Sequence, residues 1–217
     1  MTKAYKRIAE CCVKKILASK KRPLLAVITG DSGSGKSYYA KLTTKELANK
    51  GVDFTYVDAD DFLIPRQERE PMKKKFYQSG KFKGKSYYEV LENMFRLDAF
   101  KQVIHDLRAR KPTTYFPYSR STGEVAEIPK TVEPHDIVIF DSSMLAHLFD
   151  VVILIEVSRE NILKRKIKRD ADIRSASEVI DMHQKVQGYY WDRSKPKNPD
   201  VIIDNNDIAR PICVCQP

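Results

Sequence analysis

The apolar run LLAVIT, Leu24 to Thr29, passes directly into GDSGSGKSYY, Gly30 to Tyr39. The run is too short for a buried helix and fits a strand covered on both faces. From Ser37 to Lys50 the spacing turns helical, and Gly51 follows as a C-cap. A strand, a glycine-rich turn and a helix in that order constrain the fold more than any other stretch. The turn must adopt backbone angles that glycine reaches freely and other residues reach only under strain.

The same alternation continues along the chain. Phe54 to Val57 is a second strand, closing on DADD, and Leu97 to Arg110 is helical up to Pro112. Asp136 to Phe140 and Val151 to Val157 are β-branched runs typical of central parallel strands. Ser158 is an N-cap for a basic helix, Arg159 to Arg169, with Glu160 in its first turn. A helix over Ala176 to Trp191 precedes a last strand, Val201 to Ile203. Residues 1–22 form a weakly amphipathic first helix, with Ile8, Cys11, Cys12, Val13 and Ile16 near one face. Strands separated by helices imply a doubly wound α/β fold with a parallel sheet. At 217 residues the chain is long enough for a single domain with a full core. Pro65 to Tyr88, with KKK and KFKGK, reads as a long irregular stretch, and residues 62–96 as a mobile insertion.

Ligands of such sheets sit at the carboxyl ends of the strands, so Gly30 to Ser37, Asp58 to Asp61 and Asp141 share one rim. Gly30, Gly35, Lys36 and Ser37 satisfy G-x-x-x-x-G-K-[ST], the P-loop pattern, with Asp31, Ser32, Gly33 and Ser34 inside it and Tyr38 after it. Successive amides in such a loop turn inward as a nest for phosphate oxygens, and the following helix points its positive end at the same anion. Lys36 reaches the β and γ phosphates, and the Ser37 hydroxyl binds Mg²⁺. Asp141 ends DIVIFD, where a carboxylate holds the same metal. A carboxylate among Asp58, Asp60 and Asp61 can take the proton of an attacking hydroxyl. Strand alternation puts Asp58 and Asp60 on one side and Asp61 on the other, which favours Asp60 as the base. Asp58, nearer the strand body, is better placed for the metal's water shell. Arg165 and Arg169 lie i,i+4 on one helix face, and with Arg174 can close over a nucleotide.

The formal charge is +10, from 39 Lys and Arg against 29 Asp and Glu. That surplus suits an anionic ligand, and it also suits nucleic acid, with the P-loop as a switch. The basic clusters are interleaved with the lid segment, and the sequence carries no RNP or KH signature, so nucleic acid is not the expected partner. No apolar run approaches the roughly 20 residues of a membrane span, and no secretory apolar core leads the chain. A cytoplasmic protein is expected, and self-association is compatible with it. The cysteines, Cys11, Cys12, Cys213 and Cys215, match no familiar zinc spacing and read as ordinary reduced thiols.

From the P-loop to VIIDN the chain resembles the uridine kinase and phosphoribulokinase superfamily of P-loop kinases. GDSGSGKS is similar to that family's nucleotide loop. DADDF resembles its D-x-F-Y segment, which implies Asp60 as the catalytic carboxylate with Phe62 behind it. RLDAFKQVIHDLRARKP resembles its acceptor segment and implies Asp98 near the acceptor. YFPYS resembles its P-V-Y-D segment and implies Tyr118 as an acceptor-contacting aromatic. LKRKIKRD resembles its lid helix and implies Arg169 over the nucleotide. SRSTG stands where uridine kinases carry a histidine, and DSS stands where E-G-x is usual. DDFLIP followed by MKKK resembles bacterial pantothenate kinases. The resemblance implies a three-layer α/β/α P-loop fold of the NMP-kinase type, with a helical lid over residues 165–178. It implies ATP and Mg²⁺ as cofactors, and γ-phosphoryl transfer to a hydroxyl of a small acceptor. That acceptor is a nucleoside such as uridine, or alternatively pantothenate or another metabolite.

Overall fold

The computed structural model describes residues 3–79, 81–82, 85–86, 92–172, 175–184, 191 and 194–215. Its centre is a sheet of six strands: β1 (Leu24–Gly30), β2 (Thr55–Asp58), β7 (Ile137–Asp141), β8 (Val151–Glu156), β9 (Val201–Asp204) and β10 (Ile212–Cys215). They lie in the order β10-β9-β8-β1-β7-β2. All pairs are parallel except β9 with the edge strand β10. The order runs outward in both directions from β1, the doubly wound arrangement the alternating pattern predicts.

β1 is buried along its whole length, and its residues alternate between two cores. Leu24, Ala26 and Ile28 face α1 (Lys3–Ala18) and α2 (Lys36–Asn49), among Ile8, Val13, Ile16, Ala40 and Leu47. Leu25 and Val27 face the opposite layer with Phe62, Phe100, Val103, Leu107 and Phe140. Phe100, Val103 and Leu107 come from α4 (Leu97–Arg108), at the i, i+3, i+7 spacing of one helix face. Covering both faces is what allows an all-apolar central strand.

Pro65 to Tyr88 is more regular than its sequence suggests. Its first part is helix α3 (Arg66–Ser79), followed by the paired segments β3 (Lys81–Phe82) and β4 (Lys85–Ser86). Arg, Gln, Glu, Met and Lys are good helix formers, and together they outweigh the single Pro71. A second small hairpin pairs β5 (Thr113–Tyr115) with β6 (Lys130–Val132). The last two helices, α5 (Arg159–Asp170) and α6 (Ala176–Met182), both start on serine caps, Ser158 and Ser175. The helix expected to reach Trp191 is described only over its first part.

The cysteine reading is corrected. Cys11 on α1 and Cys213 on β10 are joined in a disulfide although 202 residues separate them in sequence. The edge strand β10 packs along α1, and that contact, invisible in local sequence, brings the two sulfurs together. Cys12, one residue further round the helix, is buried in the core. Among the described residues no helix is long and apolar enough to cross a membrane.

Phe100 is fully buried between Phe62, at 5.0 Å between ring centroids, and Phe140, at 6.0 Å. Phe100→Ala should destabilise the protein by about 3–5 kcal/mol through lost burial and the cavity left behind. The shift in urea midpoint measures it, and a loss under about 1 kcal/mol would show that this layer does not hold the sheet.

Candidate active site

The loop between β1 and α2 is built around two left-handed glycines, Gly33 at φ 90° and Gly35 at φ 98°. At Gly30 a side chain has no room, since a Cβ would sit 2.9 Å from the Ile155 carbonyl on β8. Asp31 and Ser34 are buried, and the Ser34 hydroxyl has no hydrogen-bond partner among the described residues. The Ser34 carbonyl is held from below: Asn205 Nδ2 donates to it at 2.8 Å and Arg165 Nη1 at 3.4 Å. Asn205 itself accepts from the Tyr39 hydroxyl at 2.8 Å, so the end of β9, the P-loop and α2 are tied in one buried network.

Parallel register sets the acidic groups beside this loop. Asp141 at the end of β7 lies opposite Ile28 on β1 and opposite Asp58 on β2. Burial pushes the Asp141 pKa up, while the nearby Lys36 charge and the Ser37 hydroxyl lower it, and the Tyr56 hydroxyl donates to Asp141 Oδ2 at 3.5 Å. Asp141 Oδ1 is fully buried without a hydrogen-bond partner among the described residues. A buried hard oxygen with a free lone pair beside a serine hydroxyl fits a small hard cation such as Mg²⁺. Burial, then the Asp60 and Asp141 charges, push the Asp58 carboxyl up to about 6.

The strand ends at Asp58, so alternation does not govern Asp60 and Asp61. Residues Ala59–Phe62 form a single 3₁₀ turn, with the Asp58 carboxylate accepting from the Asp60 amide at 2.9 Å as its cap. The turn still sends the two side chains apart. Asp60 stays at the rim, in an ion pair with Arg120. Asp61 turns away and accepts from the Tyr115 hydroxyl at 3.0 Å and from Lys130 Nζ at 3.1 Å.

Arg120 sits at the tip of a hairpin, residues 117–126, closed by Ser119 N to Glu124 O and Ala126 N to Pro117 O, each 2.8 Å. Tyr118 in the same hairpin is 7% exposed, and its hydroxyl accepts from Arg69 Nη2 at 2.6 Å. The Arg69 guanidinium also lies over the ring, 4.7 Å from its centroid. Tyr118 therefore has no free face on which an acceptor could stack, and its role is to fix the hairpin. Phe62 is fully buried against Tyr115 and Phe100, so it supports the site from the core and does not touch a ligand. Asp98 stands exposed in the first turn of α4 and lines an open cavity of about 480 Å³ with Arg96 and Lys101.

A profile of the Phosphoribulokinase / Uridine kinase family matches residues 25–204. The chain belongs to that family. It is 24% identical over 173 residues to a uridine kinase of Leuconostoc citreum, covering 75% of this chain and 76% of the relative. Its fold is shared with the D-glycerate 3-kinase of Cryptococcus neoformans, with TM-score 0.66, 12% identity, and 96% of this chain and 97% of that one covered. It is shared too with phosphoribulokinase from Rhodobacter spheroides, with TM-score 0.59, 17% identity, and 85% and 70% covered.

On this phosphoribulokinase/uridine kinase scaffold, the lid segment differs from its expected geometry. Arg165 and Arg169 share a face of α5, but Arg165 donates to the carbonyls of Ser34, Asn205 and Asn206. It thus braces the P-loop from the side. Arg169 is paired with Asp170, at 2.7 Å from Nε, and keeps about half its side chain exposed. Arg174 lies outside the described residues. Tyr38, on the outer face of α2, packs edge-on to Tyr5 of α1 at 5.2 Å and stands 49% exposed. Three residues of the site were not visible in the motifs. Asn205 is one, although DNND at the end of a strand is a signal for a loop-bracing amide. Arg120 is another. The third is Lys166, which is fully buried and packs against Gly33. Its Nζ lies 3.4 Å from Asp31 Oδ1 and 3.0 Å from His183 Nδ1, and burial lowers its pKa to about 8.

Asp58 ties the stability of the fold to pH. Its folded pKa of about 6 lies above the ordinary 3.8, so between those values the folded state binds the proton more tightly than the unfolded chain. In metal-free buffer, stability should therefore fall as pH rises through that window, by about 2 kcal/mol more in wild type than in Asp58→Asn. Urea unfolding of both proteins at the two ends of the window measures this. Parallel pH profiles would mean that Asp58 is not desolvated at the rim.

Proposed function

We propose that this protein is an ATP- and Mg²⁺-dependent kinase that transfers the γ-phosphoryl group to a hydroxyl of a small acceptor. The observation that supports it most is the juxtaposition at one sheet rim of a P-loop ending at Ser37, the buried Asp141 carboxylate and the outward carboxylate of Asp60. The P-loop, Gly30 to Ser37, would hold the phosphates, with Lys36 on the β and γ oxygens. Ser37 and Asp141 would hold Mg²⁺, with Asp58 behind them, and the bound metal draws charge from the β and γ oxygens. Asp60, paired with Arg120, is the group at the rim able to take the hydroxyl proton. Arg169, on the exposed side of α5, is the lid arginine available to exchange Asp170 for a nucleotide oxygen. A kinase that excludes water when its lid closes avoids hydrolysing its donor.

Uridine is the acceptor that the sequence relatives bring forward. A second reading, a metabolite acceptor such as pantothenate, is favoured by Arg120, which stands beside Asp60 where the sequence lacks the histidine of uridine kinases.

Lys36→Ala should lower turnover about 10²-fold, the loss of one contact of about 3 kcal/mol to the transferring group. Asp60→Asn should abolish transfer while nucleotide still binds with near wild-type affinity. Asp61→Asn should leave the chemical step intact and lower stability, since it loosens Tyr115 and Lys130. Steady-state ADP release against nucleosides, pantothenate, sugars and glycerate, with calorimetry for the nucleotide, tests all three. An active Asp60→Asn with a dead Asp61→Asn would move the base to the other side of the turn.

A further inference from the structure

Resting on the kinase reading above, we infer that the acceptor carries an anionic group, a carboxylate or a phosphate ester, and that Arg120 is the residue that reads it. The wall beyond Asp60 is built from cations: Arg66, Arg69, Arg96, Arg120 and Lys130. Among the described residues this group makes two ion pairs, Arg120 with Asp60 and Lys130 with Asp61. The other three guanidiniums are answered by neutral oxygens. Arg66 Nη2 donates to the Arg120 carbonyl at 2.7 Å. Arg69 donates to the Ile64 carbonyl at 2.9 Å and to the Tyr118 hydroxyl. Arg96 Nη2 donates to the carbonyls of Asp61 and Phe116, at 2.7 and 2.6 Å.

One of these cations is withdrawn from water, and a second is half-buried with one nitrogen shut off from solvent. Arg69 is 9% exposed. Arg96 has a fully buried Nε with no partner among the described residues, and burial lowers its pKa. Cations held away from water without carboxylate partners are costly, and an anion beside them offsets that cost. Beside a neutral acceptor the buried Arg69 guanidinium is answered by neutral oxygens alone among the described residues.

Arg120 is the member of the set that can meet the ligand. Its side chain is 68% exposed and its guanidinium already touches the carboxylate of the base. Its backbone is fixed, because the hairpin is tied to α3 by Arg66 N to Gly123 O at 2.7 Å as well as by Arg66 Nη2. Gly123 makes that approach feasible: it sits at φ 82°, and a Cβ there would meet the Arg66 side chain at 3.1 Å. When Asp60 takes the proton of the attacking hydroxyl, its charge is neutralised and the guanidinium loses its partner. A second oxyanion on the acceptor, one hydrogen bond away from the reacting hydroxyl, replaces it. The planar fork of arginine matches a carboxylate or phosphate bidentately, which lysine does not.

The test fills the P-loop with a non-hydrolysable ATP analogue and Mg²⁺, then titrates malonate and inorganic phosphate while following thermal unfolding. Wild type should show saturable stabilisation by one or both anions, and the stronger of the two distinguishes a carboxylate reader from a phosphate reader. Arg120→Ala should weaken that binding at least about tenfold, and Arg120→Lys should recover part of it, with the analogue bound equally by all three. Turnover on matched pairs (glycerol and glycerate, pantothenyl alcohol and pantothenate, ribose and ribose 5-phosphate) should favour an anionic member. Arg120→Ala should then raise the KM for that acceptor and not for ATP. Absence of anion binding in wild type, unchanged binding in Arg120→Ala, or preference for a neutral member overturns the inference. So does weakened analogue binding in Arg120→Ala with anion binding intact, which would put the residue on the γ-phosphate. An analogue that does not bind overturns the kinase reading and this inference with it. Binding of the analogue without the anions overturns this inference alone.

Discussion

The pairing of β7 with β1 on one side and β2 on the other is the constraint on which the site depends. It sets Asp141 level with Ile28 and with Asp58, just below the loop that begins at Gly30. Burial pushes both of these carboxylates toward the protonated form, and at Asp58 the charges of Asp60 and Asp141 add to the push. A fold optimised for stability alone would not hold them there. Lys36, Ser37 and Arg120 offset part of that push, and a divalent cation would offset more. The sheet supplies the order needed to keep these groups together, since its central strands β1 and β7 are buried along their whole length.

The second requirement is that the glycine loop keep one shape. Its backbone angles are unfavourable for other residues, and few of its own side chains hold it. It is braced from outside by Asn205 and Arg165 on the Ser34 carbonyl and by Lys166 on Asp31. Those three residues come from the end of β9 and from α5. A change in α5 is therefore felt at the glycine loop through direct contacts. Burying Lys166 with Asp31 and His183 is costly in itself, and its return is a fixed distance between α5 and the glycine loop.

How much of this the sequence discloses depends on the range of the interaction. The P-loop, the strand ending at Asp141 and the serine cap before Arg159 are local patterns, and the structure has each of them where the pattern puts it. The choice of Asp60 over Asp61 as the rim carboxylate is legible too, although the reason is a 3₁₀ turn and not strand alternation. The sequence is silent where the partner is far away. Nothing near Cys11 points to Cys213, and nothing near Tyr118 shows that Arg69, 49 positions earlier, covers its ring. Phe62 follows the acidic cluster in sequence but turns into the core, because a 3₁₀ turn redirects each successive side chain by about 120°. Helix α3 was hidden by its lysines and by Pro71, which read as loop composition, while its other residues favour helix.

The central claim is that the γ-phosphoryl group leaves the P-loop for a hydroxyl of a small molecule. Incubating the protein with ATP labelled with ¹⁸O in the γ-phosphoryl group, Mg²⁺ and a small-metabolite extract, then locating the label by mass spectrometry, tests this most directly. Label should appear in a phosphate ester of a small hydroxyl compound, about 10²-fold more slowly when Lys36→Ala replaces wild type. Label confined to inorganic phosphate, with nucleic acid stimulating its release, would contradict it and make the P-loop a switch for a different partner.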